Sequence, residues 1–158
     1  MKALGAVLVL LGGVIVFLDF SLTQRRQLAL IRDIAAALTQ MAGEIRWKLL
    51  PLPEAIRHLE ERKISGKYFG EIHRSLKGGN TLQNSWEHTF RSFSSEMGGI
   101  LLSMEWGGDI QRQEASILYA ARQLTELGER KAETLRQREK LCAAATLSTT
   151  GLLVLILM

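Results

Sequence analysis

Strand alternation, metal-ligand spacing and phosphate-binding loops are all missing from this chain of 158 residues. No stretch alternates apolar and polar residues with period two, so nothing in it calls for a β-sheet. Its one cysteine, Cys142, excludes an intrachain disulfide or a thiolate cluster and agrees with a reducing compartment. The three histidines, His58, His73 and His88, recur every 15 residues rather than at the i, i+4 spacing that sets two ligands on one helix face. No metal or other cofactor is therefore expected. No G-x-x-x-x-G-K-[ST] run is present, and the adjacent pair Glu60-Glu61 reads as a solvated helix end rather than an acid–base dyad. With no nucleophile–base constellation either, the chain reads as a non-enzyme. There are only two prolines, Pro51 and Pro53, so long helices are permitted on both sides of them.

Charge is missing from the two ends. An apolar run opens the chain at Ala3–Leu18, and another closes it at Leu141–Met158. About 20 mostly apolar residues cross a bilayer as a helix, so residues 3–22 and 141–158 are expected to be transmembrane helices. The first run lacks the small-residue cleavage pattern of a signal peptide around Phe17–Leu22, which favours an uncleaved anchor. Asp19 is then expected at the headgroup level, with a buried ion-pathway role as the alternative. All but Lys2 of the 20 Lys and Arg, and all but Asp19 of the 16 Asp and Glu, lie between Ser21 and Lys140, a net charge of +4. Arg25 and Arg26 follow the first run, and Arg136, Arg138 and Lys140 precede the second. The positive-inside rule therefore places the middle section in the cytoplasm, with these five cations at the membrane interface. Acids are interspersed among the cations, which argues against a nucleic-acid surface. Gly5 with Gly12, and Ala144, Ser148 and Gly151, give each span a small face. That face suits close helix packing, within the chain or in a homo-oligomer.

Between the spans, residues 25–140 carry helical periodicity. Leu28, Ile31, Ala35, Leu38, Met41 or Ala42, Ile45 and Leu49 form one stripe that ends at Pro51. Pro53 and Glu54 suit the first turn of a short second helix, with Ile56 and Leu59 facing inward and Ser65-Gly66 ending it. Tyr68, Phe69, Ile72 and Leu76 mark a third helix, closed by Gly78-Gly79-Asn80. Leu82, Trp86, Phe90, Phe93 and Met97 mark a fourth, closed by Gly98-Gly99. Ile100–Trp106 is a short fifth. Asp109 suits the N-cap of a long last helix that buries Ile110, Ile117, Ala121, Leu124, Gly128 and Leu135. The run Leu52–His58 aligns with Leu82–His88 at an offset of 30 residues. The match points either to two related helical halves or to coincidence over seven positions.

Taken in order, Leu4-Gly5-Ala6-Val7, Ala37-Leu38, Glu44-Ile45, the turn Pro51-Leu52-Pro53-Glu54-Ala55, Trp86, Asp109 with Gln113, Gln123-Leu124 and Gly151-Leu152-Leu153 resemble the stage III sporulation protein AB family of endospore-forming bacteria. The middle section is in turn similar to the cytoplasmic domain of the type II secretion inner-membrane platform (F) proteins. The resemblance implies an all-α fold, an antiparallel six-helix bundle flanked by two transmembrane helices. It implies a non-catalytic platform subunit of the channel- or secretion-like complex between mother cell and forespore, in the mother-cell membrane around the forespore. The implied partners are the stage III sporulation ATPase (protein AA), other stage III sporulation membrane proteins and membrane lipid. A small ion-conducting or regulatory membrane protein using the first span is the alternative. At about 1.5 Å per residue, Arg25–Lys48 reaches roughly 36 Å from the membrane and Asp109–Lys140 roughly 48 Å. Trp47, Lys48, Leu49 and Trp106 are therefore expected at the far tip. They are candidates for partner contact, the two tryptophans alternatively capping the bundle core.

Overall fold

Helix α1 (Lys2–Lys48) runs from the first apolar stretch to the proline turn and presents its inner half to the core. In the computed structural model the backbone is described for residues 2–157 and side chains for residues 21–141. After α1 come α2 (Leu52–His58), a 3-10 turn (Leu59–Glu61), α3 (Gly66–Lys77), α4 (Leu82–Phe90), α5 (Ser95–Leu102) and α6 (Ile110–Leu157). Among the described residues there is no strand, as the lack of alternation requires. The expected spans at 3–22 and 141–158 fall, but for their inner ends, outside the described side chains, as does Asp19. Among the described residues no helix is long and apolar enough to cross a membrane.

Two compact units share the chain. One holds the residues up to Leu28 and from Glu129 onward, and in it Arg25 Nη2 meets Glu139 Oε1 at 2.5 Å. The other, Ala29–Gly128, is a helical bundle. Its core begins with Ile31, Ile34, Ala35, Ala37, Leu38, Met41, Ala42 and Ile45 of α1, all buried. This face is broader than the expected stripe because Ile34 and Ala37 are buried too. α2 adds Ala55 and Ile56, α3 adds Phe69 and Ile72, α4 adds Trp86 and Phe90, α5 adds Met97 and Leu101, and α6 adds Ile117, Ala121 and Leu124. Each large side chain removed from water here contributes about 1.5–3 kcal/mol. The aromatic members pack edge-on or tilted: Trp86 on Phe90 at 4.6 Å, Phe90 on Phe93 at 5.0 Å, and Tyr68 on Phe93 at 4.8 Å. Trp86 Nε1 donates to the Leu101 carbonyl at 2.8 Å, so its one polar atom is satisfied inside the core.

Two expected helix ends hold. Asp109 Oδ1 accepts the Arg112 N–H at 2.8 Å at the start of α6, and the structure adds a cap not expected from the sequence, Thr81, which accepts the Asn84 N–H at the start of α4. Gly79, at φ +87°, closes α3, with the Asn80 N–H returning to the Ser75 carbonyl at 3.3 Å. Two glycine pairings behave differently. Ser65-Gly66 opens α3 instead of ending α2, because the chain has already tightened at Leu59–Glu61 and straightened at Arg62. Gly66 is required there by proximity: a Cβ would sit 2.2 Å from the Glu60 carbonyl oxygen. Gly98-Gly99 lies inside α5. α4 has ended at Phe90, and a Cβ on Gly98 would reach the Phe93 and Phe90 carbonyl oxygens at 3.4 and 3.5 Å. Ile110, expected inside, is exposed at the first turn of α6, and Leu135 is half-buried. The repeated heptapeptide falls on the first two turns of α2 and α4. Both copies bury the small–apolar pair, Ala55-Ile56 and Ser85-Trp86.

The turn between α2 and α3 is latched to α1 by one carboxylate. Asp33 accepts from Arg62 Nη2 at 2.6 Å, from the Ser65 N–H at 2.9 Å and from Ser65 Oγ at 2.5 Å. Burial pushes the Asp33 carboxyl up, but the hydrogen bonds from Arg62 and Ser65 and the Arg62 charge outweigh it and hold it below its usual range. A depressed carboxyl stabilises the fold above its unfolded pKa of about 4, and that stabilisation is lost as pH falls through the folded value. Asp33→Asn should therefore cost about 2 kcal/mol at pH 7. In thermal melts of the full chain in detergent, the gap to wild type should close in strong acid.

Trp106 yields a second expectation. It packs edge-on against Trp86 at 4.6 Å, half-buried, and its Nε1 is buried with no partner among the described residues. Trp106→Ala should lower stability by about 2 kcal/mol. Trp106→Phe keeps the ring contact and removes the unpaired donor, so its melting temperature should stay close to that of wild type.

Candidate partner-contact site

The end of α1 is built around a buried anion. Glu44 is only 7% exposed. It accepts from Gln40 Nε2 at 3.2 Å, lies 3.0 Å from His58 Nδ1 and 3.7 Å from Lys48 Nζ. Burial pushes its carboxyl up, but the bonds from Gln40 and His58 and the charges of His58 and Lys48 outweigh it and hold it low. α2 is thereby tied to the last turns of α1. Two residues further on, Arg46 Nη1 bridges to Glu114 Oε1 of α6 at 3.0 Å. Its guanidinium also lies over the Trp47 ring, 5.1 Å from the centroid.

Leu49 then leaves the helix at φ +51°, the one non-glycine among the described residues with positive φ. The Leu50 N–H returns to the Glu44 carbonyl at 3.4 Å, and Pro51, at ψ 144°, keeps the chain extended before α2 begins. The left-handed residue turns the Leu49 side chain out of the stripe that runs through Ile45. Trp47 is 78% exposed and Leu49 74%, with Lys48 exposed between them.

Of the four candidate contact residues, Trp47, Lys48 and Leu49 thus share one solvated turn. Trp106 is spent on the core against Trp86. Of the interface cations, Arg25, Arg26, Arg136, Arg138 and Lys140 are all exposed. Glu139, which pairs with Arg25, was not singled out by the sequence reading, although its place among the last cations before the second run was a usable signal. Also missed was a cavity of about 360 Å³ on the first turns of α6, lined by Gln111, Glu114, Ala115, Leu118, Tyr119 and Arg122. It shares Glu114 with the Arg46 bridge.

Each histidine faces a glutamate of an earlier element: His58 with Glu44, His73 with Glu60, and His88 with Glu71 at 3.9 Å. The Glu60–His73 contact joins the 3-10 turn to α3, while Glu60 and Glu61 both stay exposed at the end of that turn. Among the described residues no group of three or more His, Cys, Asp or Glu side chains could hold a metal ion. What this end of the bundle offers is an apolar, cation-flanked protrusion.

No curated protein and no solved structure matches the chain. A family match covers residues 2–158. The order of motifs from Leu4-Gly5 to Gly151-Leu152 and the all-helical build agree with it. The chain belongs to the stage III sporulation protein AB family.

Proposed function

We propose that this protein is a non-catalytic platform subunit of the stage III sporulation complex between mother cell and forespore, holding a cytoplasmic ATPase at the mother-cell membrane. The observation that carries this reading is the family match over residues 2–158, which gives the chain a role in stage III sporulation. Residues 3–22 and 141–158 are the membrane anchors, and the helical unit Ala29–Gly128 is the cytoplasmic part. An antiparallel arrangement like that of the type II secretion F-protein domain fits the succession of two long outer helices and four short inner ones. The partners are the stage III sporulation ATPase (protein AA) and other stage III sporulation membrane proteins. The exposed cations at Arg25, Arg26, Arg136, Arg138 and Lys140 support the orientation, because anionic headgroups favour each nearby cation by about 1 kcal/mol.

Thiol labelling tests the topology. In a Cys142→Ser background, Ser92→Cys puts one thiol on the exposed turn after α4. It should resist a membrane-impermeant maleimide in intact cells and react once the membrane is opened. Reaction in intact cells would reverse the orientation and remove the ATPase from reach. The scaffolding role has a separate readout. Full-length protein in nanodiscs should retain the purified ATPase on size exclusion while hydrolysing no nucleotide alone.

A further inference from the structure

We propose that the cations beside the two apolar runs form a belt that binds anionic phospholipid headgroups, selecting lipids of the phosphatidylglycerol class over zwitterionic ones. The inference rests on the reading of residues 3–22 and 141–158 as membrane anchors and adds the class of lipid held around them. Charge is divided unequally between the two compact units. Ala29–Gly128 holds 12 Lys and Arg and 12 Asp and Glu, so the bundle unit is neutral. The net charge of +4 therefore belongs wholly to the other unit. There, residues 21–28 and 129–141 carry seven cations against Glu129, Glu133 and Glu139. This surplus of four survives any pairing, because all three acids are already counted in it. Asp19, two turns nearer the start of the chain, removes one charge at most.

Five of these cations also share a depth. The 2.5 Å contact between Arg25 Nη2 and Glu139 Oε1 sets the two helices level at that pair. At about 1.5 Å per residue, Arg25, Arg26, Arg136, Arg138 and Lys140 then fall within about 6 Å along the helices, with Glu139 the one acid among them. Glu133 lies about a turn farther from the span. The headgroup layer on each face of a bilayer is about 5–7 Å thick, so the whole belt fits one layer. Four of its five cations are arginines, whose guanidinium matches phosphate oxygens bidentately.

The residues bordering the belt on its span side decide between lipid and an acidic protein. Leu22 is 55% and Leu141 70% exposed. They stand three residues from Arg25 and two from Glu139, at depths equal to within about 2 Å. Exposed leucines directly below a belt of cations follow the order in which a leaflet presents acyl chain and then phosphate. An acidic protein face would complement the cations but leave both leucines in water.

The test reconstitutes full-length protein in phosphatidylcholine vesicles holding a trace of spin-labelled phosphatidylglycerol or spin-labelled phosphatidylcholine. The motionally restricted fraction of the label measures lipid held at the protein. Wild type should prefer the phosphatidylglycerol label by about two- to fivefold, the upper figure being the effect of one cation near a headgroup. The preference should vanish in about 1 M salt, where screening acts within about 3 Å. Arg26→Gln, Arg136→Gln and Lys140→Gln together spare the Arg25–Glu139 pair and should lose most of it. Arg26→Lys, Arg136→Lys and Lys140→Arg together should keep it, which separates charge from fold. Lys63→Gln, Lys77→Gln and Arg91→Gln together remove the same charge from exposed positions of the bundle unit and should also keep it. Equal restriction of both labels by inserted wild type would overturn the belt and leave the anchors standing. An equal loss in the bundle triple would overturn it as an effect of total charge. A wild-type preference in the glutamine belt triple would overturn it too, and lost ATPase retention by that variant would then assign the cations to an acidic protein face. If alkaline carbonate strips wild type from the vesicles, the anchor reading falls and this inference falls with it.

Discussion

Four of the six helices are too short to stand alone. α2, α3, α4 and α5 have 7, 12, 9 and 8 residues, and isolated helices of that length are marginal in water. They persist because they share a core with the face of α1 between Ile31 and Ile45, whose small members Ala35, Ala37 and Ala42 leave room for close approach. The succession of short elements is thus a consequence of one long helix with a wide apolar face. A narrow stripe would have seated one neighbour. A face that also buries Ile34 and Ala37 can serve several.

Polar ties then choose one arrangement among the many that apolar burial would allow. Asp33 fixes the turn between α2 and α3, and Glu44 fixes the end of α2 through His58. Both are carboxylates on α1 that are removed from much of the solvent and held ionised by the groups they bind. Such pairs add modestly to net stability but penalise any packing that leaves them unpaired. His73 extends the scheme to α3 through Glu60, whereas His88 and Glu71 approach only to 3.9 Å with both side chains exposed. Of the histidines that look isolated in sequence, His58 and His73 are therefore local fasteners.

Much of this was legible in the residues, and the exceptions have physical causes. Pro51, Asp109 and Gly78-Gly79 announce helix boundaries because their caps and turns are local, formed within a few residues. Ser65-Gly66 misleads because Gly66 answers a close passage of the Glu60 carbonyl at the start of α3 rather than a helix end, and Gly98-Gly99 misleads because the chain has already turned at Phe90–Ser94, so the pair falls inside α5. Leu49 continues the heptad-like stripe in sequence yet leaves it in space, since a single left-handed residue rotates everything after Lys48. Trp106 and Trp47 both look like surface anchors by position. Only the Trp86 ring, 20 residues away in sequence, separates them.

The three tryptophans are consequently divided by environment within one chain. Trp106 packs edge-on against the buried Trp86, whereas Trp47 stands in water beneath a guanidinium. Indole emission shifts to the red in polar surroundings, and only the solvated ring is open to a soluble quencher. The protein thus carries two optical reporters that need no label. The red, quenchable component follows events at the end of α1, and the blue, protected component follows the integrity of the bundle.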